Sequence, residues 1–192
     1  MTSDPTDFNR RALLQITAGF AAAGGAAMPA AHAAAPAKAA PPVPNGKPGD
    51  FNFLSGEWKI KNRQFKTGGI EEFDGEATVH GILAGVGSVE ELRIPSRGFS
   101  GMGLRLLDIE RRLWADHWVN AKSGVLTPPP SWGSFVDGVG LWDADDEDAG
   151  RAVIVRGCWD QITASSCRWY QASSHDGGKT WQKSWEMHWN RA

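Results

Sequence analysis

Trp181-Gln182-Lys183-Ser184-Trp185-Glu186-Met187-His188-Trp189 alternates bulky apolar side chains with polar ones. Trp181, Trp185 and Trp189 recur at even spacing, and Met187 falls in the same phase. A period of two places such residues on one face of a β-strand. Trp114 and Trp118 repeat the pattern in Leu113–Asn120. The chain holds 10 Trp, and rings in such excess call for a sheet that curls around a broad core. Each buried indole N–H also wants an acceptor. Asn62 and Gln64 lie in phase with Trp58 and Ile60, and Asp116 and Asn120 in phase with Trp114 and Trp118. Glu186 and His188 lie out of phase with Trp185 and Trp189: an inward Trp face leaves them solvated, an inward polar face has them line the cavity, and phase alone does not choose.

Outward from this stretch, short alternating runs broken by Gly, Pro and Asp clusters fill the chain from Glu57 onward. Strands are expected near Glu57–Phe65, Gly75–Ile82, Gly87–Ile94, Gly101–Asp108, Leu113–Asn120, Gly133–Trp142, Arg151–Trp159, Cys167–Ser173 and Trp181–Trp189. Phe51, Phe53 and Leu54 suit one short helical turn packed on a sheet end. So many consecutive strands in one domain raise the problem of free edges, which closure into an antiparallel barrel removes. A sandwich is the alternative. No long repeat is visible, which disfavours a propeller.

The first 33 residues read as a twin-arginine export leader. Arg10 and Arg11 precede Leu13, Leu14 and an Ala/Gly run that closes on Ala31-His32-Ala33, a small-x-small cleavage signal. A retained anchor is the alternative, but the Ala12–Ala31 stretch is Ala- and Gly-rich, contains Pro29 and makes a poor lipid span. The expected location is the periplasm, and the expected first partner is the twin-arginine machinery, a route that carries folded proteins. Residues 34–48, mostly Ala, Pro, Gly and Lys, read as a disordered linker, with the folded domain at 49–192. The formal charge is -2 with both signs interspersed, which argues against nucleic acid.

Gly56-Glu57-Trp58 resembles the Gly-x-Trp signature that opens the first strand of lipocalin-like (calycin-type) barrels. The wider set Phe51–Trp58, Leu104-Arg105-Leu106, Phe135–Gly140 and Arg168–Ala172 is similar to an uncharacterised family of small bacterial secreted proteins with that architecture. The resemblance implies an all-β, up-and-down lipocalin-like barrel of about 9–10 strands, with a small, partly apolar ligand inside. Ser174-His175-Asp176-Gly177-Gly178-Lys179-Thr180-Trp181 is similar to the Asp-box of sialidase-type propellers. There the box is structural, and here it reads as turn chemistry. The haem-binding nitrobindin barrels use a late His as iron ligand. His188 is late in the chain, but no other local motif accompanies it, and no cofactor is expected.

Cys158 and Cys167 leave two readings open, a disulfide suited to an oxidising compartment or two free thiols. The cluster Asp143, Asp145, Asp146, Glu147 and Asp148 lacks the Gly and Glu of a calcium loop and reads as a solvated hairpin tip. His80, His117, His175 and His188 show no metal-ligand spacing, so no metal is expected. Gly98-Phe99-Ser100-Gly101 is not a nucleophile elbow, since Met102 stands where the second Gly belongs. Glu90-Glu91 is placed to pair with an inward Arg such as Arg105.

The functional expectation is a periplasmic barrel that binds a small apolar or aromatic molecule. Trp58, Trp114, Trp118 and Trp185 form the wall, and Arg105 or Arg156 the polar anchor. One alternative is an isomerase- or hydratase-type enzyme on the same barrel using Glu90, Asp116 or His117. Another is an interaction module that dimerises through an exposed Trp face.

Overall fold

Each strand of this protein hydrogen-bonds to the next in the chain, and the last returns to the first. The computed structural model describes residues 38–126, 129–148 and 150–192, so the leader with Arg10, Arg11, Ala31 and Ala33 lies outside the described residues. Ten strands are present among them: β1 (Gly56–Lys66), β2 (Gly69–Ile82), β3 (Gly87–Ile94), β4 (Phe99–Asp108), β5 (Leu113–Asn120), β6 (Ser131–Val136), β7 (Val139–Asp148), β8 (Arg151–Asp160), β9 (Ser166–Ser174) and β10 (Gln182–Arg191). All neighbours are antiparallel, and β1 pairs with β10 to close an up-and-down barrel. The sandwich alternative is therefore excluded.

The closing register sets Ile60 opposite Trp189 and Gln64 opposite Trp185. Alternation then carries Trp58, Ile60, Asn62 and Gln64 inward on β1, and all four are buried. A short 3-10 turn at Asn52–Leu54 seals one end of the barrel. Phe51 sits on Trp114 (4.9 Å between ring centroids) and Phe135 (5.1 Å), and Trp58 Nε1 donates to the Leu54 carbonyl at 2.7 Å. This end carries most of the aromatic core.

Three local expectations are corrected. The single run Gly133–Trp142 is two strands, because Asp137 and Gly138 both take positive φ (50° and 79°). Paired positive φ is the signature of the tight turn that matches strand twist in a two-residue hairpin. The acidic cluster at 143–148 is not a hairpin tip but the far half of β7, paired along β8. There Asp143 faces Arg156, and Asp145 accepts from the Ala39 backbone N–H at 2.7 Å.

Trp181 does not share a face with Trp185 and Trp189. Lys183 opposes Ala172 and Trp185 opposes Gln171, so Ser184 is an extra residue in β10. Such a bulge inverts the inside–outside phase of everything before it. The described part of the expected linker, residues 38–48, is tied to the barrel. The Val43 carbonyl accepts from Ser134 Oγ (2.6 Å), Asn45 Nδ2 donates to the Phe135 carbonyl (2.7 Å), and Gly46 N–H donates to the Arg112 carbonyl (2.7 Å). This strap and the outer face of β6 and β7 enclose a groove of about 410 Å³ lined by Pro41, Pro42, Val136, Val139 and Leu141.

Candidate functional site

Inside the barrel, β3, β4 and β5 each contribute one ionisable side chain at the same level. Glu90 opposes Gly103 across β3 and β4, and Arg105 opposes Asp116 across β4 and β5. Gly103 leaves the space that the Arg105 guanidinium fills: a Cβ there would lie 3.2 Å from Arg105 Nη2. Arg105 Nη2 donates to Glu90 Oε2 at 2.5 Å, and its Nε lies 3.6 Å from Asp116 Oδ1. That second separation is too long for a hydrogen bond. The guanidinium is sandwiched between aromatic faces, 5.1 Å from the Phe51 centroid and 5.4 Å from the Trp159 centroid.

Burial alone would pull the Arg105 pKa down. The Glu90 and Asp116 charges more than reverse this, and the guanidinium is held above its ordinary value. The site thus carries one fixed cation between two carboxylates. Glu90 is wholly buried, whereas the Asp116 side chain is 21% exposed. The reason is the neighbouring seam. β5 and β6 pair at only three positions, Trp114 to Asp116, and beyond these β5 has on that side, among the described residues, just an isolated bridge from Val119 to Leu126, which precedes β6. Asp116 and the half-buried Trp118 therefore lie beside a short ladder that parts toward one end of the barrel.

Around this centre stand buried donors with no acceptor among the described residues: Arg105 Nη1, Asn62 Nδ2, Gln171 Nε2 and Trp189 Nε1. Three further indoles find acceptors. Trp185 Nε1 donates to Asn62 Oδ1 (3.0 Å), Trp114 Nε1 to Asp50 Oδ2 (3.0 Å), and Trp142 Nε1 to the Trp114 carbonyl (3.1 Å). At the end away from the 3-10 turn, Arg97 lies 3.5 Å over the Phe73 ring, donates to Gln64 at 2.9 Å and pairs with Glu71.

Of the residues expected to line the interior, Trp58, Trp114, Trp185 and Arg105 are buried there, and Trp118 stacks nearly parallel to Phe99. Arg156 is not. It points outward, bonds both Asp143 carboxylate oxygens at 2.7 Å and stacks 3.8 Å from the Trp181 ring. An alternative anchor inside the barrel is thereby removed. Glu90 and Asp116 meet at Arg105, while alternation turns His117 to the outer face of β5.

Cys158 opposes Tyr170 on the outer face, and Cys167 opposes Trp189 on the inner face. The two are buried free thiols, so the disulfide reading is set aside. Burial raises Cys158 to about 11 and Cys167 to about 12. Gln171 was not singled out by the sequence, though its phase with Cys167 and Trp169 on β9 carried the signal.

Glu186 departs from the solvated role that an inward Trp face would give it. It is buried on the outer face among Lys183 (2.5 Å), His188 (2.8 Å), Arg168 (3.5 Å) and Arg63 (3.7 Å). Burial pushes its pKa up, and the Lys183 and His188 contacts outweigh that and lower it. Among the described residues no group of His, Cys, Asp and Glu is arranged to hold a metal ion.

No family model matches the chain, and no curated protein matches it. Among solved structures, the chain is similar to a protein of unknown function from the DUF3598 family of Nostoc punctiforme. The identity is 13% and the TM-score 0.42, over 80% of this chain and 53% of that one. The chain thus spans about half the length of that protein. A redesigned β-barrel is similar at 11% identity and a TM-score of 0.39, over 77% of this chain and 99% of that one.

Proposed function

We propose that this protein is an exported, periplasmic barrel that binds a small molecule in its interior, anchored at Arg105. The observation that carries this reading is the state of that side chain. It is wholly buried between two aromatic faces, yet its Nη1 donor meets no acceptor among the described residues. An unsatisfied buried donor costs roughly 1–3 kcal/mol, and a bound acceptor recovers that cost. The leader motif at Arg10 and Arg11 supports export.

The test is native mass spectrometry of the full chain recovered from the periplasm of its own cells. A retained non-covalent adduct is expected in the wild type, and its loss in Glu90→Gln/Arg105→Met. That pair change removes the anchor and its wholly buried carboxylate together, leaving only the partly exposed Asp116 without its cation. A bare wild-type protein overturns the reading. Recovery from the cytoplasm alone overturns the export half of it.

A further inference from the structure

Resting on that reading, we infer the class of ligand: a flat, uncharged heteroaromatic ring whose edge carries a carbonyl beside a ring N–H, that is, a lactam or imide. One cation faces two carboxylates at this site, so an anionic ligand would add a third negative charge where little water screens it. A wholly apolar ring would leave Arg105 Nη1 unsatisfied.

Hydrogen bonding then selects the edge. At the ion pair itself a donor and an acceptor make no hydrogen bond among the described residues: Arg105 Nη1, and Asp116 Oδ1, which faces the likewise unbonded Arg105 Nε at 3.6 Å. A lactam presents a carbonyl to the first and an N–H to the second. The walls favour a flat ring, since Phe51 and Trp159 lie over the guanidinium and Trp118 lies on the same face of β5 as Asp116. Access is also on the correct side. The partly exposed edge of the site is Asp116, beside the short β5–β6 ladder.

The experiment is quenching of tryptophan fluorescence in the full chain by four bicyclic probes: 2-quinolone, its N-methyl derivative, quinoline-2-carboxylate and naphthalene. 2-Quinolone is expected to bind about ten-fold more tightly than each of the other three, the factor carried by one well-made hydrogen bond. In Asp116→Ala the advantage over the N-methyl derivative is expected to vanish. Equal or tighter binding of naphthalene or of the carboxylate overturns the ligand class, as does an N-methyl penalty that survives in Asp116→Ala. No saturable binding of 2-quinolone overturns it too. Whether the interior-binding reading falls with it is decided separately, by the adduct seen in native mass spectrometry.

Discussion

Arg105 and Glu90 form a pair with almost no water around it, and breaking it from one side exposes the cost. Arg105→Met strands a buried carboxylate, for which a loss of about 3–5 kcal/mol is expected in urea unfolding. The double change Glu90→Gln/Arg105→Met is expected to recover most of that loss. The thiols make a second residue-scale test. With Cys158 at about 11 and Cys167 at about 12, both stay protonated near neutral pH and both are buried. Neither is expected to react with an aromatic disulfide reagent in the native protein, and both should react rapidly in denaturant. Asp176 tests the turn before β10. Its carboxylate accepts from Thr180 Oγ1 (2.6 Å), Thr180 N–H (2.9 Å), Ser174 Oγ (2.8 Å) and Lys179 N–H (3.1 Å). The Thr180 bonds above all hold it at about 2, below the usual carboxylate range. A depressed folded pKa contributes stability above the unfolded value, lost as pH falls through the folded one. The amide resonances of Lys179 and Thr180 are therefore expected to titrate with a midpoint near 2, and a midpoint of about 4 would contradict the turn.

At the level of the strand, the inward glycines are as specific as the rings they accommodate. A Cβ on Gly133 would stand 2.1 Å from the Leu141 carbonyl and 2.6 Å from the Trp142 ring. The first of these is backbone and cannot turn aside, so Gly133→Ala is expected to lower stability by at least about 1–3 kcal/mol, read from the urea midpoint. How much of such a strand shows in the sequence depends on whether the cause is local. Alternation located most strands and the inward phase of Asn62, Gln64 and Asp116, because it is set residue by residue. The Asp137-Gly138 turn was legible too, as a local pair demanding positive φ, but the apolar run around it masked the break. The Ser184 bulge was not, since only the register with β9 reveals which residue is extra. The same limit applies to Arg156. Its outward direction follows from the ladder with β7 and β9, not from its neighbours in the chain. Glu186 was misjudged for a related reason: Arg63 from β1 and Arg168 from β9 join Lys183 and His188 of its own strand around it, and the two cross-strand pairings are not visible until the barrel closes.

Across the whole molecule, nearly every strand depends on its chain neighbours, but β1 depends also on β10, more than a hundred residues away in the chain. The C-terminal end takes part directly: Ala192 N–H donates to the Glu57 carbonyl at 3.0 Å, and Arg191 reaches the carbonyls of Ser55 and Phe53. A chain ending after Ser184 would leave Ile60 and Asn62 without Trp189 and Met187 opposite them and would open two strand edges. Such a truncation is expected to give insoluble protein without native near-ultraviolet circular dichroism, whereas truncation before Ala39 should leave the barrel intact.

Closure also sets a timetable. The first strand is held by the tenth, so the barrel cannot shut while a ribosome still hides β10. Closure must follow emergence of Gln182–Arg191. A quality check that passes only folded cargo, as the proposed export route applies, would then pass only chains that include β10, with fragments lacking it held back by geometry.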